Sequence, residues 1–228
     1  MTSGPYNPLD KFNLARSIEI ELLSREAVGF DQLNDVRGAG VYAIYYVGDF
    51  PAYRAIAAKN IEGKFGQPIY VGKAIPKGGR KGGISADASA GKPLVDRLAQ
   101  HASSIDQAEN LSISDFAVRH LVVDDIWIPL GENMLIETYK PVWNRALDGF
   151  GNKDPGRRRA TQYKSPWDVL HPGRRFAEKL ADSGLSTEFL AERVDDYLHG
   201  RAMKRLPRVV EDQQAAEQGE AEERADNV

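Results

Sequence analysis

Gly40-Val41-Tyr42-Ala43-Ile44-Tyr45-Tyr46-Val47 is the stretch that decides the fold. Its β-branched and aromatic residues mark a strand. Upstream, residues 12–24 repeat apolar side chains with helical spacing. Downstream, residues 48–67 contain Gly, Pro and an Ala-rich middle, which reads as an excursion with a short helix around Arg54–Asn60. Pro68–Gly72 is a second, short strand. It runs into the basic loop AIPKGGRKGGISADASAGKP, whose five glycines argue against regular structure. A helix is expected from Pro93 through Leu94–Ser103, then a third strand at Phe116–Val123. Asp124 can cap the next helical stretch, which Pro129 is expected to interrupt. A helix then runs from Glu132 to Tyr139 and stops before Pro141.

Residues 145–164 read as a basic, Gly-rich loop, and Ser165-Pro166-Trp167-Asp168 as a helix start with Ser as N-cap. Leu185–Met203 suits an amphipathic helix. Beyond Pro207 the composition turns polar and acidic, and the expectation is disorder. The order β, β, α, β, α implies an α/β (α+β) fold: a small central three-stranded sheet flanked by helices, with inserted loops and a C-terminal helical extension. The expected organisation is an N-terminal arm and helix (1–39) and a core (40–145) with its insertion at 48–67. A basic loop with the helical extension (146–208) and an acidic tail (209–228) follow.

At 228 residues the chain can bury one sizeable core. It has 42% hydrophobic and 28% charged residues and no cysteine, which excludes disulfides and thiolate metal sites and fits a reducing cytosol. No apolar h-region opens the chain and no apolar run nears membrane-spanning length, so a cytoplasmic protein is expected. The net charge of −3 conceals an asymmetry. Residues 211–228 carry seven acids and one base, leaving 29 bases against 26 acids in residues 1–210. Lys73 to Arg97 holds six bases and two acids, and Lys153 to Arg175 seven bases and two acids. Two such segments suggest a polyanion surface, although charge alone favours ordinary solvated side chains.

The chemistry-bearing residues form an ordered set. Gly40-Val41-Tyr42 lies in the first strand, and Tyr70-Val71-Gly72, followed by Lys73, in the second. Arg97 and His101 stand four apart on one helix face, Glu137 lies in a later helix, and Pro141-Val142-Trp143-Asn144 follows it. This set resembles the GIY-YIG nuclease superfamily over residues 40–144, with Val for Ile in both name-giving tripeptides. Tyr42 and Tyr70 are 28 residues apart, wider than most members. That insertion, YVGKAIPKGGRKGG, the Arg97/His101 pair and the run from Gly131-Glu132-Asn133 to Asn144 resemble the subgroup of type II restriction endonucleases that cut CCGCGG. Repair excision nucleases share YVGKA but usually carry Tyr at the position of His101 and are longer.

The resemblance implies a metal-dependent DNA endonuclease, with Mg²⁺ as cofactor and Mn²⁺ as a substitute. It assigns Glu137 as the metal ligand. Glu137 shares a helical stripe with Leu130 and Met134 and is therefore expected to face the interior, where a lone carboxylate needs a cation or a partner. Arg97 would grip the scissile phosphate. Tyr42 would activate or position water, with His101 as an alternative proton acceptor. Tyr70 would bond water or a phosphate oxygen, Lys73 would stabilise phosphate charge, and Asn144 would orient a site group or contact phosphate, with a helix C-terminal cap as its competing reading. Gly72 would permit close backbone approach. Lys77, Arg80 and Lys81 in the loop, and Arg157, Arg158, Arg159, Arg174 and Arg175 further on, are candidate DNA contacts, since arginine commonly reads guanine. A palindromic target implies a homodimer, and a restriction enzyme implies a cognate DNA methyltransferase in a prokaryotic cell. The competing readings are a repair or mobile-element nuclease and an inactive DNA-binding module.

Overall fold

The structure, a computed structural model, describes residues 7–33, 35–75, 91–154 and 162–216. Strands β1 (Gly40–Tyr46), β2 (Pro68–Ala74) and β3 (Phe116–Val122) form one antiparallel sheet in the order β2-β1-β3. The fold is therefore α+β, as expected from the order of elements. All seven residues of β1 are buried. A central strand covered on both faces needs a continuous apolar run, and GVYAIYY provides it.

The two faces carry separate cores. Val41, Ala43 and Tyr45 pack with Val71, Leu22 of α1 (Lys11–Ser24), and Ile128 and Leu135 of α4 (Ile128–Tyr139). Tyr42, Ile44 and Tyr46 point the other way. They join Leu94, Leu98 and Ile105 of α3 (Pro93–Gln107), Trp143 of α5 (Val142–Arg145), Trp167 of α6 (Pro166–Leu170) and Leu190 and Val194 of α7 (Thr187–Leu198). The excursion 48–67, with the short α2 (Arg54–Ala57), also belongs to this second core through Tyr53 and Ile56. A buried chain runs through that core. The Trp143 indole donates to the Tyr53 oxygen (2.8 Å), Tyr53 Oη lies 2.5 Å from His171 Nε2, and His171 Nδ1 lies 2.8 Å from Asn110 Oδ1.

Three boundaries differ from the sequence reading. Pro129 opens α4 instead of interrupting it, because a first-turn residue has no intrahelical partner for the N–H that proline lacks. The 185–203 helix is trimmed to Thr187–Leu198, capped by the Ser186 side chain. Residues 208–216, expected to be disordered, are helical, with Val210 in the core and Gln213 bonded to the backbone of Tyr163. One buried valine and one polar anchor hold a segment whose composition reads as solvated.

Candidate active site

Tyr42 and Tyr70 lie on the same face of the sheet, since Tyr42 is paired with Gly72 and Ile44 with Tyr70. Their ring centroids are 6.3 Å apart. Helix α3 crosses this face and presents Arg97 and His101. Tyr42 Oη lies 2.7 Å from His101 Nε2 in a buried contact, and the positive charge of Arg97 acts on both phenols. Arg97 also donates to Gly151 O at 3.1 Å and to Gln100 Oε1 at 3.1 Å. His101 stacks on Phe150 at 4.5 Å with the planes 17° apart. A cleft of about 300 Å³ opens beside Arg97 and His101, lined also by Phe150, Gly151, Lys153 and Phe176.

Burial sets the protonation of this cluster. Desolvation raises the Tyr42 phenol well above its ordinary range, against the lowering effect of Arg97. Tyr70 is pushed up to about 12, again mainly by burial. Burial first, then the charges of Arg97, Arg174 and Lys153, hold the His101 imidazole well below the usual histidine range. At neutral pH the phenols are protonated and the imidazole is neutral, so the Tyr42–His101 contact is a neutral hydrogen bond whose direction the His101 tautomer sets.

This protonation state has a consequence for stability. His101 is depressed and His171 is pushed down to about 3 by burial. The unfolded chain takes up these protons near pH ~6.5, whereas the folded chain does not. Stability is therefore complete above that pH and falls as pH drops below it. Two such histidines give a loss of about 3 kcal/mol between pH 7.5 and 5.5. Asp148, whose carboxyl burial pushes upward, works in the opposite direction at pH values just above its ordinary range. Denaturant midpoints across that range measure it, and a flat profile would show that the imidazoles protonate in place.

The remaining expected residues fall differently. Asn144 forms a two-bond clamp with one residue of β2: its Oδ1 accepts from Val71 N and its Nδ2 donates to Val71 O, each at 2.9 Å. The edge strand has free backbone groups there, and the amide satisfies them as a neighbouring strand would. Asn144 thus orients the strand carrying Tyr70. Gly72 is required for space: a Cβ there would lie 2.4 Å from Tyr42 Oη and 2.6 Å from its Cζ. The close approach is made by the Tyr42 side chain.

Glu137 does not enter the site. Its side chain is 70% exposed and pairs with Arg145 at 2.6 Å. The buried residues of α4 are Ile128, Gly131 and Leu135, so the inward stripe is rotated from the one through Leu130, Met134 and Glu137. That stripe brings Glu132 toward the sheet. Its carboxylate is 15% exposed, meets Lys73 Nζ at 2.7 Å, and raises the pKa of both Tyr42 and Tyr70 through its charge. Gly131 lets α4 approach closely, since a Cβ there would meet Ile18 Cγ2 at 2.9 Å and Val41 Cγ1 at 3.5 Å. Lys73 accordingly neutralises a carboxylate in this structure.

Arg174 is not available to DNA. Its side chain is 1% exposed and pairs with Asp168 at 2.6 Å. Arg175 is exposed. Lys77, Arg80, Lys81, Arg157, Arg158 and Arg159 lie outside the described residues. Sequence reasoning also missed Phe150 and Gly151, which wall the site. They sit in a Gly-rich stretch whose composition signals only a loop.

Two phenols, a guanidinium and an imidazole gather on one face of a three-stranded antiparallel sheet, with a carboxylate at its edge, and form the candidate active site. Residues 34–198 match the family described as Eco29kI GIY-YIG domain, and the chain belongs to that family. It is a restriction-type DNA endonuclease. Among curated proteins, none matches the chain significantly. Among the described residues, no helix is long and apolar enough to cross a membrane.

Proposed function

We propose that the chain is a Mg²⁺-dependent type II restriction endonuclease. It acts as a homodimer on a short palindromic GC-rich site in double-stranded DNA, CCGCGG, beside a cognate methyltransferase in a prokaryotic cytoplasm. The observation that carries the chemistry is the 2.7 Å contact between Tyr42 Oη and His101 Nε2 beneath the Arg97 guanidinium. The target sequence, the dimer and the methyltransferase rest on the resemblance of the motifs and their spacing.

The residues fit a single hydrated cation. Among the described residues, no three His, Asp or Glu side chains converge as a cation cage. Glu132 offers one carboxylate beside the tyrosines, and Mg²⁺ is characteristically held by one or two carboxylates with its remaining positions filled by water and phosphate. Glu132 would hold it, with Lys73 as the present counter-charge. Bound there, the cation supplies Lewis-acid stabilisation of charge on the phosphate and the departing oxygen.

The protein's own groups do the rest. Arg97 faces the phosphate with a planar fork and offsets charge as phosphorus becomes five-coordinate. A water attacks phosphorus in line with the 3′ oxygen. Its proton passes to the Tyr42 oxygen while the Tyr42 proton passes to neutral His101 Nε2. A phenol with a raised pKa is a poor resting base, so the relay makes His101 the ultimate acceptor. The water oxygen–phosphorus bond forms, the phosphorus–3′ oxygen bond breaks, the departing 3′ oxygen takes a proton from solvent water, and the products are a 5′-phosphate and a 3′-hydroxyl. Tyr70 and Arg97 hold the phosphate oxygens.

Incubating the purified chain with a plasmid carrying several CCGCGG sites in Mg²⁺ tests this reading. Discrete fragments mapping to those sites are expected. Fragments mapping elsewhere would replace the sequence assignment, and intact plasmid under every divalent metal would end the enzymatic reading.

A further inference from the structure

Outside the catalytic cluster, the described residues contain a second buried charged constellation. Arg174 and Asp168 pair at 2.6 Å with both side chains 1% exposed. Asp168 also accepts from Ser165 Oγ at 2.7 Å. The Arg174 guanidinium is sandwiched between Trp167, 4.5 Å from its centroid, and Phe176, at 4.8 Å. Its remaining donors all go to one loop: to Gly149 O at 2.9 Å, to Phe150 O at 3.1 Å and to Asn152 O at 3.4 Å.

Within the loop Asn152 N donates to Gly149 O at 3.1 Å, while the carbonyls of Phe150 and Asn152 turn inward to donors outside it. A buried cation with a planar fork can meet them, provided that its own charge is neutralised, as Asp168 does here. The shape of residues 149–152 therefore depends on Arg174. Gly149 takes φ +109°, a conformation that L side chains rarely adopt, and a Cβ there would lie 2.1 Å from Ser165 Oγ.

The same loop forms the outer wall of the catalytic cluster. Phe150 stacks on His101 at 4.5 Å and meets Tyr70 edge-on at 4.9 Å, and Gly151 O takes a hydrogen bond from Arg97. A Cβ on Gly151 would lie 3.1 Å from Tyr70 Oη and 3.2 Å from Arg97 Nη2, so the loop is seated against both. We propose that Arg174 and Asp168 are positioning residues for cleavage: through the 149–152 loop they hold the His101 ring and the Arg97 fork in their working orientations. This inference rests on the functional reading given above. The charge of Arg174 also helps to keep His101 neutral.

The test uses Arg174→Lys, which keeps the charge but loses the fork, and Phe150→Leu, which keeps the ion pair but loses the stacked ring. Both are compared with the wild type by steady-state cleavage of a plasmid in Mg²⁺ and by the ring-proton NMR resonances of His101. A folded Arg174→Lys chain is expected to lose at least about tenfold in kcat, with KM within about threefold, because small displacements of reacting groups are costly. Its His101 resonances should move as the ring current of Phe150 changes. Phe150→Leu should shift the same resonances and lower kcat in the same way. If the lysine variant does not fold, Phe150→Leu decides: unaltered kcat would overturn the proposal. Wild-type kcat with unmoved His101 signals in a folded Arg174→Lys chain would also overturn it. Should the wild type fail to cut plasmid, the cleavage reading falls, while the NMR arm still reports whether Arg174 orients His101.

Discussion

Glu132→Gln is expected to reduce plasmid cleavage by roughly a thousandfold or more, the scale set by losing one essential charge-stabilising group, while Glu137→Gln cleaves within about twofold of the wild type. The contrast follows from where α4 points its carboxylates. Glu132 is largely enclosed, and its charge is felt by both phenols. Glu137 is exposed and paired with Arg145 on the surface, an arrangement worth little to the fold or the site. The glutamine is isosteric, so Glu132→Gln removes the charge without emptying space. The thermal midpoint should change little, because the ion pair with Lys73 is partly solvated. Cleavage measured over a series of Mg²⁺ concentrations separates weakened cation binding from lost chemistry. If Glu137→Gln proved the inactive variant and Glu132→Gln cut normally, the assignment of the carboxylate would be reversed.

Gly72→Ala should be the most damaging single methyl in the sheet. The added carbon would lie 2.4 Å from Tyr42 Oη and 2.6 Å from Cζ, closer than real Cβ contacts come, and a tight 3.0 Å from Cε2. Gly72 has no backbone requirement of its own, being ordinary strand paired with Tyr42, so the effect is one of space alone. The neighbour that must yield is a buried phenol, tied to His101, and not the end of a flexible chain. Either Tyr42 swings away from His101 or β2 shifts from β1. Overpacking of this kind costs about 1–3 kcal/mol of stability. Displacing a reacting hydroxyl by about 1 Å costs roughly a hundredfold in rate. Single-turnover cleavage and a denaturation curve on the same sample check both. A Gly72→Ala chain with wild-type rate would show that Tyr42 need not stay where it packs.

Much of this site was legible in the chain itself. Tyr42 and Tyr70 announce themselves because β-rich segments place them two residues into their strands, and a strand's alternation leaves little choice of face. Arg97 and His101 were readable as a pair because four residues return a helix to the same side. The rotation of α4 was not. With Pro129 taken as a break, the helix began at Glu132, and its apolar stripe was phased on Leu130 and Met134. The true start at Ile128 turns Glu132 inward. A single carboxylate among several on one helix can be chosen only when the packing of that helix is known. Here that packing is set by Gly131 against Ile18 and Val41, residues remote in the chain.

Arg174 teaches the same lesson with the opposite sign. In the sequence it belongs to a basic run, and basic runs suggest phosphate. In the fold its neighbour Arg175 is exposed, while Arg174 is enclosed by Trp167, Phe176, Asp168 and three carbonyls. Composition registers charge but not solvent. The sequence by itself determined the sheet, its flanking helices and four of the groups that meet on its face, because strand and helix periodicity are local properties. Only the tertiary structure decided which glutamate joins them, which arginine is buried, and that Phe150 and Gly151 close the site. Those outcomes depend on contacts between segments far apart in the chain, and local pattern does not encode them.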